Sequence, residues 1–159
     1  MKYLKLVLLF LSITVYSQSG KVVKIKDGDT VVLLDSDNNQ ITLRLAEVDC
    51  PESKQAFGKR AKEFTSNEVG NKVVSYKIIS TDRYGRYIAK IFYDNKYLSE
   101  EIIKNGYGWH YKKYSKSKKL SDLEINAKKN KLGLWADKAP VEPYMFRKMK
   151  ELNMSGNNY

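Results

Sequence analysis

Apolar and polar positions divide the chain into short strands and helices from about residue 21 onward. Val23 and Ile25 alternate with lysines over residues 21–26, which predicts a first strand with one wet face. The apolar run Val31-Val32-Leu33-Leu34, a polar reversal over 35–40 containing Asp37-Asn38-Asn39, and the alternating segment Ile41-Thr42-Leu43-Arg44-Leu45 predict a β-hairpin. Ser53 can cap a helix reaching Val69, with Phe57, Ala61 and Phe64 on one stripe and Gly70 ending it. Residues 72–79 and 87–93, rich in Val, Ile and Tyr, flank Ser80-Thr81-Asp82-Arg83-Tyr84-Gly85-Arg86 and predict a second hairpin. A helix over 98–104 sets Leu98 and Ile102 one turn apart and stops at Asn105-Gly106. Ser121-Asp122-Leu123-Glu124 reads as a capping box opening a third helix, with Leu120, Leu123 and Ala127 inward and Gly133 as its stop. Leu134-Trp135 is expected to tuck back beneath it. From Pro140 the chain is expected to wrap the body through Tyr144 and Phe146, and residues 153–159 to fray.

Five short strands interrupted and followed by three helices predict an α+β domain, a small barrel with helices packed against it. No internal repeat or second composition regime divides the 159 residues, so one domain over 18–152 is expected. Residues 1–17 read as a signal peptide: Lys2 and Lys5 precede a short apolar stretch, and Val15-Tyr16-Ser17 offers a cleavage site. The apolar stretch falls short of the roughly 20 residues of a membrane span. A secreted or periplasmic protein, without a membrane anchor after cleavage and monomeric, is the expectation.

Composition sharpens the picture in two ways. The net charge of +11 attracts polyanions, pointing to nucleic acid or an anionic membrane surface. No long basic amphipathic helix presents itself for the membrane alternative. Cys50 and His110 are each the sole residue of their kind, which excludes an internal disulfide and zinc sites built from several cysteines or histidines. A Cys50/His110 nucleophilic pair is disfavoured because the neighbouring Asp49 opposes the thiolate.

Pairing the central hairpin folds its outer ends together, so Asp29 can approach Asp49 and Glu52 just past the other strand. Three carboxylates at close quarters repel and are normally offset by a cation or by arginines. Oxygen donors favour a hard ion, calcium or magnesium, and Arg44 comes from the same hairpin. A metal, a spare carboxylate and a guanidinium are the parts that phosphodiester hydrolysis needs. Taken singly, Asp29 could end a turn with Gly28, Glu52 could favour a helix start, and Arg86 could be a solvated strand residue.

Asp27-Gly28-Asp29-Thr30, Leu43-Arg44-Leu45, Val48-Asp49-Cys50-Pro51-Glu52 and Asp82-Arg83-Tyr84-Gly85-Arg86 resemble, in order, the active-site motifs of the staphylococcal nuclease family. The resemblance runs from about Lys21 to Arg147 and includes Gly133-Leu134-Trp135. It implies a five-stranded OB-fold barrel carrying helices and a calcium-dependent endonuclease acting on DNA and RNA and leaving 3'-phosphate ends. By motif, Asp29 and Asp49 would hold Ca2+ with the backbone carbonyl of Cys50, Glu52 would act on the attacking water, and Arg44 and Arg86 would grip the phosphate. Cys50 stands where the best-known member has threonine, so any role of that hydroxyl is lost. Arg83, Tyr84, Tyr111 and Tyr114 are candidate substrate contacts, with Tyr111 and Tyr114 at a spacing of their own. Lysines in the 112–119 loop are suited to backbone phosphate. A small barrel mouth favours single-stranded DNA or RNA. A noncatalytic OB module that binds single strands is the rival from another class.

Overall fold

A computed structural model describes residues 18–155 of the chain, so the expected signal peptide and the last four residues lie outside it. Strand β1 (Gln18–Asp27) turns through Gly28-Asp29 into β2 (Thr30–Leu34), which pairs antiparallel with β3 (Gln40–Leu45). The predicted central hairpin is present: Thr30 faces Arg44 and Leu34 faces Gln40. Its reversal is held by the Asp35 carboxylate, which accepts the backbone N–H groups of Asp37 and Asn39 at 2.9 and 2.8 Å. The two-residue β4 (Val48–Asp49) follows.

Strands β5 (Val73–Thr81) and β6 (Tyr87–Tyr93) form the second predicted hairpin. β5 pairs antiparallel with β1, and β6 pairs parallel with β3, closing a five-stranded barrel among the described residues. That closure leaves these five strands no free edge and gives the expected OB-type α+β architecture. The short strands β7 (Lys96–Tyr97) and β8 (Trp109–His110) add to β6 and β4 respectively. Inside lie Val22, Val31, Leu33, Leu43, Leu45, Ala89 and Ile91, which the pleat sends inward.

Among the described residues four α-helices, one more than predicted, pack outside: α1 (Gly58–Val69), α2 (Leu98–Lys104), α3 (Lys118–Lys129) and α4 (Pro143–Ser155). None of the described helices is long and apolar enough to cross a membrane.

Local chemistry displaced several predicted features. A register shift between Val22 and Lys24 turns Val22 and Ile25 inward and leaves Val23 exposed, reversing part of the expected alternation. α1 starts at Gly58, not near Ser53, because residues 52–57 close on themselves. Gln55 N–H donates to the Glu52 carbonyl at 2.8 Å, Gly58 N–H to that of Gln55 at 3.0 Å, and Phe57 adopts a positive φ of 64°. A Cβ at Gly58 would stand 2.0 Å from the Glu52 carbonyl oxygen, so this fold-back requires glycine. α3 is capped by Ser117, whose hydroxyl accepts the Leu120 N–H, and not by the expected Ser121 box. Glu124 instead turns inside and accepts the His110 backbone N–H while Lys112 and Lys128 neutralise it. α3 ends at Lys129, with Lys131 at φ 52°, and Gly133 opens the 3-10 turn Gly133–Ala136. The segment expected to wrap the body forms α4.

Candidate active site

The turn that carries Asp29 is pinned from three sides. Leu45 N–H donates to the Asp29 carbonyl at 2.8 Å, and the Thr65 hydroxyl of α1 donates to the Gly28 carbonyl at 2.6 Å. A Cβ on Gly28 would meet Ala61 Cβ and Cys50 Cβ, each at 2.8 Å, so only glycine lets α1 and the Cys50 segment close on this turn. Cys50 N–H donates to Asp29 Oδ2 at 2.8 Å, tying the end of β4 to the tip of the first turn. Asp49 is fixed by β4, which pairs with β8 opposite Trp109.

Arg44 lies between the two aspartates. One of its nitrogens, Nη2, stands 2.6 Å from Asp49 Oδ1 and 3.2 Å from Asp29 Oδ2. Its other terminal nitrogen, Nη1, donates to the carbonyls of Leu45 and Val48, both at 3.1 Å. The aspartates are only 6% and 3% exposed, so each depends on these partners to carry charge. Burial and the neighbouring Asp29 carboxylate push the Asp49 acid upward, against the pull of Arg44 and Arg147. Burial works against the Arg44 charge, but Asp29 and Asp49 outweigh it and hold the guanidinium more firmly protonated than usual. Asp27, one turn position away, is pushed up to about 6 by burial and by Asp29. The predicted set had not included Asp27, although Asp-x-Asp spacing across a two-residue reversal is a signal for such a neighbour.

Arg147, from α4, is the other residue missing from the predicted set. Its Nη1 lies 2.7 Å from Glu52 Oε1 and its Nη2 lies 3.1 Å from Asp49 Oδ2. Burial opposes its charge, but the bonds to Glu52 and Asp49 prevail and raise its pKa above the ordinary arginine value. The structure therefore brings together Asp29, Arg44, Asp49 and Glu52, with Arg147 linking the last two.

The other predicted residues fall into two groups, the Asp82 loop and a tyrosine pair beside Arg44. Arg86 Nε is held at 2.8 Å by Asp82, which also accepts the backbone N–H groups of Tyr84 and Arg86. In the parallel β3–β6 register Ile88 is opposite Arg44, and Arg86 stands in the loop just before β6. Its ion pair is with Asp82 and with none of Asp29, Asp49 and Glu52. Arg83 and Tyr84 are exposed at the loop tip, and Arg83 lies over the Tyr84 ring. Tyr111 stacks nearer the centre, with the Arg44 guanidinium 6.0 Å from its ring centroid and Tyr114 packed edge-on at 4.8 Å. Tyr114 is 69% exposed, an aromatic face open to a base. The Cys50 thiol is buried, and burial together with Asp29 raises its pKa well above the ordinary thiol value. His110 Nδ1 pairs with Ser121 at 3.0 Å, so the described contacts do not join Cys50 and His110 into a dyad.

Asp29 and Asp49 supply oxygen donors, the chemistry of a hard divalent cation. Among the described residues no group of three or more His, Cys, Asp or Glu side chains could hold a metal ion. Two carboxylates leave most of a calcium coordination shell to water and to a phosphate oxygen, so the donor set fits an open calcium or magnesium site. It also fits the demand for charge, which Arg44 and Arg147 meet here.

The family model described as staphylococcal nuclease homologue matches residues 42–137. An uncharacterized endonuclease of Haemophilus influenzae is 40% identical over 135 residues, covering 85% of this chain and 76% of that protein. An uncharacterized endonuclease of Escherichia coli O157:H7 is 33% identical over 152 residues, covering 94% and 99%. A staphylococcal-like nuclease of Arabidopsis thaliana is 36% identical over 108 residues, covering 68% of this chain and 33% of its own length. With buried acids and Arg44 converging at one end of an OB-type barrel, these matches place the chain in the staphylococcal nuclease family, as a nuclease that hydrolyses nucleic acid.

Proposed function

We propose that this nuclease is a calcium-dependent, sugar-nonspecific endonuclease that cleaves DNA and RNA and leaves 3'-phosphate ends. The observation that carries the reading is the convergence of Asp29 and Asp49 on one nitrogen of Arg44, with Glu52 joined to Asp49 through Arg147. Asp29 and Asp49, with the Cys50 carbonyl, would hold the ion, which when bound supplies Lewis acidity and neutralises phosphate charge.

The protein groups divide the remaining work. Arg44, held in place by two carbonyls and two carboxylates, presents a preorganised cation to the phosphate with little reorganisation. Arg86, in the loop just before β6, would join it on the phosphate, so that two guanidiniums share the extra negative charge of a five-coordinate phosphorus. Glu52 accepts a proton from water as its oxygen forms the new bond to phosphorus. The bond from phosphorus to the 5' oxygen breaks, that oxygen takes a proton from solvent water as Glu52 returns its own to solvent, and the phosphate stays on the 3' side. The likeness of the motifs to those of the family supports this bond choice.

Single-stranded substrate suits a narrow barrel mouth, and the Tyr111–Tyr114 pair beside Arg44 offers stacking faces to unpaired bases. The apolar leader read in residues 1–17 supports secretion, and a monomer acting without a membrane anchor completes the reading. Comparing Glu52→Gln with the parent tests the core of it. Turnover is expected to fall about a hundredfold or more while oligonucleotide binding persists. Equal turnover would remove Glu52 from the chemistry.

A further inference from the structure

We propose that Arg147 is a positioning residue of the nuclease reaction, which makes α4 part of the active site although it lies beyond the stretch matched by the family model. The inference rests on the reading of Glu52 given above.

Glu52 sits in the 50–57 loop, whose backbone turns back on itself and whose carboxylate is 38% exposed. A carboxylate on such a loop samples several rotamers unless something holds it. The bond that holds it is to Arg147 Nη1 at 2.7 Å. The same guanidinium places Nη2 3.1 Å from Asp49 Oδ2, and Arg44 occupies the other Asp49 oxygen at 2.6 Å. One planar fork thus spans two acids three positions apart and fixes their separation, which a flexible ammonium cannot do.

A second contact clamps the loop from the same direction. The Gln55 side-chain amide donates to the Val141 carbonyl at 2.5 Å, just before α4 begins at Pro143. Gln55 Oε1 also accepts the Glu52 backbone N–H at 3.1 Å. Backbone and carboxylate of Glu52 are therefore each referenced to the C-terminal segment, through separate bonds. Pro143 is buried and Phe146 is half-buried, so α4 is seated against the body beside these contacts.

The consequence is a division between affinity and turnover. Arg147 touches the acids and is not needed for the charge of the ion site, which it opposes. Its removal takes from Glu52 the bond that holds its carboxylate, while Asp49 keeps its 2.6 Å contact with Arg44 and Asp29 keeps the Cys50 N–H.

The test measures kcat and KM on a single-stranded oligonucleotide with calcium for the parent, Arg147→Ala, Arg147→Lys, Glu52→Gln and the Arg147→Ala/Glu52→Gln double variant. Calcium affinity by calorimetry and thermal melting accompany it. Arg147→Ala is expected to lose about 10- to 100-fold in kcat, as for other residues that orient a catalytic ligand, with KM within about threefold. Arg147→Lys should fall between it and the parent, because a flexible ammonium keeps the charge but lacks the rigid two-nitrogen fork that sets the spacing of the acids. In the Glu52→Gln background the Arg147 substitution should cost almost nothing more, the mark of a residue acting through Glu52. Calcium binding to Arg147→Ala should be unchanged or tighter. Parental or increased kcat in Arg147→Ala, losses that multiply in the double variant, or calcium affinity falling in step with kcat would each overturn the proposal. Should Glu52→Gln itself turn over like the parent, the role of Glu52 fails first, and that outcome is told apart from the others by the single variant alone. If Arg147→Ala fails to melt cooperatively, the Arg147→Lys kcat and its cycle with Glu52→Gln decide the matter.

Discussion

Arg44 holds two buried acids and two carbonyls together, and its removal should show this without any substrate. Arg44→Ala leaves two acids, 6% and 3% exposed, without the cation that lies between them. Breaking a buried ion pair by removing one partner costs about 3–5 kcal/mol. The carbonyls of Leu45 and Val48 each lose a donor, at about 1 kcal/mol apiece where water cannot replace it. Arg147 still meets Asp49, which holds the total near the lower end of that sum, about 5 kcal/mol. For a domain of this size that is a drop of roughly 10–15 °C in melting temperature. The loss should also depend on pH in a definite direction. Burial and Asp29 already raise the Asp49 acid above its unfolded value, and Arg44 is one of the groups that restrain it. Without Arg44 the native state binds protons more readily than the unfolded state, so stability is recovered as pH falls toward the ordinary carboxylate range and lost as pH rises through the raised value. Urea unfolding at constant slope, from pH 4 to 8 and with chelator present, measures this directly. Calcium should narrow the gap at pH 7, since a ligand at a hundred times its Kd stabilises by about 2.7 kcal/mol and the variant site carries one positive charge fewer. An Arg44→Ala protein within about 1 kcal/mol of the parent, with a parallel pH profile, would refute the idea that this guanidinium stabilises the buried acids.

Three further outcomes follow from the same geometry. Asp27 is held at about 6 by burial and Asp29, so it opposes folding once ionised; Asp27→Asn should raise the urea midpoint at pH 7 in chelator and lose that advantage near pH 4. Gly28→Ala drives a Cβ to 2.8 Å from two other Cβ atoms and should cost about 1–3 kcal/mol by overpacking, read from thermal melts. The Cys50 thiol, buried and with its pKa raised, should resist a thiol reagent in the native protein at pH 8 and react fully in urea; rapid labelling of the native form would contradict its placement.

The elements with local signals were legible in the sequence. The run, turn and alternation over 31–45 specify a hairpin without long-range help, and its register alone brings Asp29 toward Arg44. Helix α2 was legible for the same reason: apolar positions one turn apart and a stop at Asn105-Gly106. What failed depended on contacts that the local pattern does not show. The Ser121 box was a sound local pattern, but Lys112, Lys128 and the His110 N–H offer Glu124 better partners inside than a helix end does. The Ser53 cap lost to the tight return of Gly58 onto Glu52. Arg147 was invisible as a site residue because the acids it joins lie 98 and 95 positions earlier. Nothing in the segment singles out one arginine among its lysines, and its apolar residues mislead: Phe146 is half-buried, but Tyr144, Met145, Met149 and Leu152 are exposed.

Asp29 and Asp49 are proposed to form a metal-dependent phosphodiesterase site. Incubating an end-labelled single-stranded oligonucleotide with the parent and with Asp49→Asn, in calcium, in magnesium and in chelator, tests it on one gel, with the product ends identified by phosphatase treatment. The account predicts cleavage by the parent in calcium, 3'-phosphate products, no cleavage in chelator and little by Asp49→Asn. Undiminished cleavage in chelator, or an Asp49→Asn protein as active as the parent, would contradict it.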